Sequence, residues 1–238
     1  RVRLLEASDG AIWVGGLGAE ATRLERGPGR WLTYRNLHFQ VEDHDGRRWF
    51  TAQDPQTGSK SVVYHDPATD RWVQFDERDG LMEGVVSLLV TDSGDVWAAG
   101  GHRGEVATSR LDGENWSTYS HPGLSNSTRP YVFLQAADGH LWLSADIGWE
   151  GSRNQYGGLL EVDPLLPERS IRHSPWRDAS AYAVGQSTDG VLWFGGGRLR
   201  SFDGTTWSLL SQPRGLTSWV HGIIGTPDGD LWVGTRSY

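Results

Sequence analysis

One short phrase recurs six times along the chain: a turn built on Asp or Ser and Gly, two further residues, then Trp and a small-residue ending. It reads DGAIWVGG from Asp9, DGRRWFTA from Asp45, SGDVWAAG from Ser93, DGHLWLSA from Asp138, DGVLWFGG from Asp189 and DGDLWVGT from Asp228. The tryptophans are Trp13, Trp49, Trp97, Trp142, Trp193 and Trp232, at intervals of 36, 48, 45, 51 and 39 residues. A period of about forty with a hairpin turn inside each unit is the mark of a β-propeller. The repeat runs through nearly all 238 residues and therefore predicts one all-β domain over 1–238. Its units fall at about 1–35, 36–80, 81–124, 125–177, 178–216 and 217–238.

The third unit shows how a blade is written. GVVSLLV from Gly84 is apolar on both faces, as an innermost strand buried between layers must be. Asp92, Ser93 and Gly94 turn the chain and DVWAAG returns it. EVATSRL alternates as a third strand, Asp112-Gly113 turns again, and NWSTYS is the fourth. Outer hairpins of the same kind are TRLERGPGRWLTY, SVVYHDPATDRWVQF and LRSFDGTTWSLL. No segment of useful length has helical periodicity. Six inner hairpins stand against five outer ones, so the last blade is two strands short. A ring with an open blade predicts either further blades beyond Tyr238 or closure against a second copy.

Composition narrows the function. The net charge of −8 argues against a nucleic-acid partner, because phosphate binding needs clustered Lys and Arg. The absence of Cys excludes disulfides, zinc–thiolate sites and a Cys nucleophile. No apolar run approaches the length of a membrane span. No cofactor motif and no metal ligand set is legible. The His residues are scattered without metal spacing, and the repeated Asp reads as a turn residue, since one Asp per turn round a ring does not converge on a cation. His-Glu-x-x-His, Gly-x-Ser-x-Gly and P-loop motifs are lacking, which argues against catalysis.

The repeated phrases, with the Gly-Leu pairs at Gly80-Leu81, Gly123-Leu124 and Gly215-Leu216, resemble the two-component regulator propeller repeat. The likeness is strongest at Asp228–Thr235 and Asp189–Gly196 and weakest at Asp45–Ala52, where Arg47 and Arg48 replace small or apolar residues. It implies a periplasmic or extracellular sensor propeller that recognises a ligand, often a glycan. Sialidase-type and streptogramin-lyase-type propellers carry similar phrases.

Recognition should sit where the units differ. The loop between the second and third strands of each blade opens on the same face as the segment leading into the first strand. The longest such loop, ADIGWEGSRNQYG, carries Trp149, Glu150, Arg153, Asn154 and Tyr156, an aromatic plane among hydrogen-bonding groups as sugar sites use. Shorter loops there add His102, Arg103 and Arg198. The leading segments add Arg129, Tyr131, Tyr182, Trp219 and His221. Trp219 falls off the repeat position, so packing by symmetry does not account for it. The repeated tryptophans, by contrast, are expected to pack between blades. A non-catalytic binding or sensor propeller for a glycan or other small polar ligand is the expectation. The alternatives are a protein-interaction scaffold and a polysaccharide lyase or hydrolase.

Overall fold

The computed structural model describes residues 3–15, 20–25, 27, 29–125, 128–145, 158–173, 181–210 and 219–236. They form an all-β fold of five four-stranded antiparallel sheets and one two-stranded sheet, the blades of a β-propeller. Blade 1 holds β1 (Arg3–Glu6), β2 (Ile12–Gly15), β3 (Glu20–Glu25) and β4 (Arg30–Arg35) in that order. Blade 2 holds β5 (Leu37–Glu42), β6 (Arg48–Gln53), β7 (Lys60–Asp66) and β8 (Arg71–Phe75). Blade 3 holds β9 (Gly84–Val90), β10 (Val96–His102), β11 (Glu105–Asp112) and β12 (Asn115–Ser125). Blade 4 holds β13 (Thr128–Gln135), β14 (Leu141–Ala145), β15 (Gly158–Val162) and β16 (Ser170–His173). Blade 5 holds β17 (Ala183–Gln186), β18 (Leu192–Gly195), β19 (Leu199–Phe202) and β20 (Trp207–Leu210). Blade 6 is the pair β21 (Trp219–Gly225) and β22 (Leu231–Arg236). The one helical element among the described residues is a 3-10 turn, Glu77–Asp79, capped by Asp76.

The repeated phrase folds the same way in all six blades. Six residues before each repeat Trp stand Ala7, Asp43, Thr91, Ala136, Ser187 and Thr226. The carbonyl of each accepts from the N–H of the turn glycine three residues on, and its own N–H donates to the carbonyl four residues on, every bond 2.8–3.0 Å. The glycines, Gly10, Gly46, Gly94, Gly139, Gly190 and Gly229, have φ between 75° and 94°. That left-handed geometry closes a type I turn into a hairpin, and only glycine adopts it without steric cost.

The chain divides into two compact units, Arg1–His102 with Ala107–Tyr119, and Arg103–Val106 with Ser120–Tyr238. In the first unit Trp13 and Trp49 are covered by the next blade. Trp13 stacks on Phe39 at 4.9 Å between centroids and meets Phe50 edge-on at 5.4 Å. Trp49 lies in a core with Val85 and Leu88 of blade 3. In the second unit Trp142 packs against Phe194, Phe202 and Trp207 of blade 5.

The expectation that every repeat Trp is core needs correction at the last two blades. Trp13, Trp49, Trp97 and Trp142 are buried to 1% exposure or less. Trp193 is only partly buried against Ala183, Leu199, Val220 and Ile223. Trp232 is 68% exposed, beside Ile224 at 67%.

Candidate functional site

Of the residues singled out in the sequence, the fold brings together Tyr182, Trp219 and His221, all in the second unit. Trp219 and His221 stand on β21, and the register of β21 against β22 shifts between Val220 and Gly222. The extra residue at that bulge is His221. A bulge re-aims the side chains beside it. Val220 and Ile223 are therefore both buried although three positions apart, while Trp219 remains 44% exposed.

Tyr182 meets the Trp219 ring edge-on at 5.2 Å and the His221 ring edge-on at 5.5 Å. The Tyr182 N–H donates to the Gly195 carbonyl at 2.6 Å, which ties it to the end of β18. The tight loop that follows, Gly196 to Arg198, is closed by the Gly196 N–H on the Arg198 carbonyl at 3.2 Å. The Val220 N–H donates to the Gly196 carbonyl at 2.8 Å, so blade 6 is fastened to this loop. Close approach is possible because β18 ends on glycine. A Cβ on Gly195 would lie 2.3 Å from Val220 Cγ1. The Trp219 indole runs beside Gly197, where an added Cβ would lie 3.7 Å from Cη2, in ordinary contact. Arg198 is exposed next to it, and Arg236 pairs with Trp219 across the β21–β22 ladder.

The result is an indole held edge-on by Tyr182, which in turn meets His221, and left 44% exposed, with a guanidinium on the neighbouring loop. Such a plane can stack on the apolar face of a sugar or another flat ligand, while Tyr182, His221 and Arg198 offer hydrogen bonds.

The other singled-out residues fall elsewhere. His102 Nδ1 lies 2.5 Å from Glu83 Oε2, an ion-pair geometry in the first unit. Arg103 has φ 49° and Gly104 φ 85°, a two-residue hairpin turn between β10 and β11. Arg129 and Tyr131 lie on β13, described in backbone only. Trp149, Glu150, Arg153, Asn154 and Tyr156 lie outside the described residues.

No protein-family model matches the chain, and no curated protein sequence matches it. Solved structures do. The β-propeller domain of the trilobed protease from Pyrococcus furiosus, described as having an open velcro topology, is 12% identical at TM-score 0.60, over 100% of this chain and 80% of that one. Kuenenia stuttgartiensis hydrazine synthase is 11% identical at TM-score 0.70, over 98% and 83%. A glucose dehydrogenase is 14% identical at TM-score 0.57, over 99% and 92%. At these identities the likeness is one of fold, the β-propeller, which hosts many unrelated functions.

Proposed function

We propose that this chain is a non-catalytic ligand-binding propeller of the sensor kind, which recognises a glycan or another small polar ligand through Trp219. The observation that carries the reading is the exposed Trp219 indole, held edge-on by Tyr182 off the repeat position, in a protein that buries Trp13, Trp49, Trp97 and Trp142. The net charge of −8 fits a neutral ligand better than a polyanion. The resemblance of the repeats to the two-component regulator propeller supports the sensor role and a periplasmic or extracellular location. Trp149, Glu150, Arg153, Asn154 and Tyr156, in the loop between β14 and β15, are proposed as further contacts on the same grounds of aromatic and polar composition.

A glycan array followed by calorimetry tests the reading. Trp219→Ala and His221→Ala should each weaken the captured glycan at least about tenfold, the loss of one stacking or hydrogen-bonding contact, with thermal stability nearly unchanged. Full affinity in both variants would remove the site from this place. Failure to retain any glycan or small polar compound would favour a protein-interaction surface.

A further inference from the structure

Blade 4 carries a cluster of ligating side chains that the repeat does not require. Along a strand, alternate residues share a face. His140 stands two residues before Trp142, and Glu161 pairs with Trp142 across the β14–β15 ladder. Leu159, two residues before Glu161, pairs with His173 on β16. His140, Glu161 and His173 therefore converge from three segments onto one face. His140 Nδ1 lies 2.5 Å from Glu161 Oε1, and His173 Nε2 lies 2.7 Å from Glu161 Oε2. Asp138 completes the group: one donor atom from each of Asp138, His140 and Glu161 lies within 4.8 Å of the others.

We propose that Asp138, His140 and Glu161 form a binding site for a divalent transition-metal ion of the zinc class, with His173 as the residue that positions Glu161. Each ligand is fixed beforehand. The Asp138 carboxylate accepts the His140 N–H through Oδ1 at 3.0 Å, which leaves Oδ2 for an ion. His173 stacks on Trp142 at 4.8 Å and is hemmed by Phe202 and Trp207, so its imidazole can hold only one orientation toward Glu161. A second carboxylate oxygen held by an outer histidine is the support that metal-bound carboxylates commonly have. Zinc places donors at about 2.0–2.2 Å, so the ligand atoms need to lie roughly 3.3 Å apart. The ion would sit between His140 Nδ1 and Glu161 Oε1, spreading that pair slightly and drawing Asp138 inward. Asp138 is exposed and His140 partly so, which gives the ion a path in and leaves water as the remaining ligand.

The donor set selects the metal. One imidazole and two carboxylates suit zinc, cobalt or nickel, whereas calcium requires six to eight oxygens.

Calorimetric titration of the chelator-treated full chain with zinc chloride tests the proposal, with cobalt absorption as a second reading. One ion per chain should bind, with a dissociation constant on the order of micromolar or tighter. Asp138→Asn, which keeps the turn acceptor, and His140→Gln should each weaken it more than about tenfold, and His173→Gln by roughly tenfold, as outer-ligand losses do. The cobalt-loaded chain should show visible ligand-field bands that Asp138→Asn alters. No saturable one-to-one binding by the intact chain would overturn the site. Wild-type affinity in both Asp138→Asn and His140→Gln would overturn it equally, by placing the ion elsewhere.

Discussion

Arg48 interrupts the repeat in sequence, and its surroundings explain why. Its side chain is only 4% exposed. It reaches from blade 2 to Asp9 of blade 1 at 2.5 Å, with Glu42 at 3.6 Å, and its guanidinium lies 5.7 Å from the Trp13 ring centroid. Arg23 approaches the same Asp9 at 2.7 Å and the same ring at 6.0 Å. The turn Asp of blade 1 is thus also an anchor for the next blade. Removing one member of a buried ion-pair network costs about 3–5 kcal/mol. Asp9 is a third exposed and keeps Arg23, so Arg48→Met should cost about 3 kcal/mol in urea unfolding, near the low end of that range. An unchanged midpoint would contradict the anchor. The acid response follows from the same groups. Burial works to raise the Asp9 pKa, but the Ala11 N–H, the Arg23 bond and the charges of Arg48 and Arg23 hold it below 3.8. The Ser93 hydroxyl, ahead of Arg110, does the same for Asp95. A depressed carboxylate gives stability that is complete above about pH 4 and drains away as pH falls through the folded pKa. A separate step lies at higher pH. Burial lowers His121 from 6.5 to about 4, so the unfolded chain takes up a proton there that the folded chain refuses. Stability should fall as pH drops from about 6.5 to about 4, and His121→Asn should flatten that step while leaving the loss below pH 4. Denaturant midpoints measured from pH 7 to pH 3 would check both.

At the scale of the blade, what was legible in sequence was whatever the hairpin turn dictates. Asp, Gly and Trp at fixed offsets set the turn, the turn sets the register of the first two strands, and alternation does the rest. That is why the strands around Trp97 were readable residue by residue. Three features were not. Bulges depend on how a strand meets its neighbour, so the one at His221 that exposes Trp219 left no mark in composition. The His140–Glu161–His173 group is joined by pairings across three strands, and 33 residues separate the two histidines in the chain. The burial of each repeat Trp depends on the blade beyond it. That last dependence is testable as a gradient. Trp142, 1% exposed and enclosed by Phe194, Phe202 and Trp207, should cost about 3–5 kcal/mol as Trp142→Ala, the range for a large-to-small core change. Trp193→Ala should cost less, because its ring is half-covered and its Nε1 donates to Ser187 Oγ at 3.1 Å. Trp232→Ala should cost under about 1 kcal/mol, as exposed substitutions do. Equal losses at Trp142 and Trp232 would show that the blade 6 face is covered in solution.

For the whole molecule, we predict from that exposed face that the chain associates with itself. Ile224 and Trp232 are direct partners across the β21–β22 ladder, so their side chains form one apolar patch. In the first unit, the corresponding face of blade 1 is closed by Phe39 and Phe50, and in the second unit that of blade 4 is closed by Phe194, Phe202 and Trp207. The opposite face of blade 1 carries Leu4, which is 68% exposed. We predict that the Leu4 face of a second copy covers the Ile224–Trp232 patch, the kind of contact that Trp13 makes with blade 2 in the first unit and Trp142 with blade 5 in the second. A contact between two different patches is head-to-tail. Sedimentation velocity should therefore show concentration-dependent association. It should strengthen with added salt, which screens the repulsion between copies of net charge −8. Ile224→Lys with Trp232→Lys should abolish it without loss of fold, since neither side chain is buried. A wild-type chain that stays monomeric up to high concentration and high salt would refute the prediction, and so would association that survives both lysines.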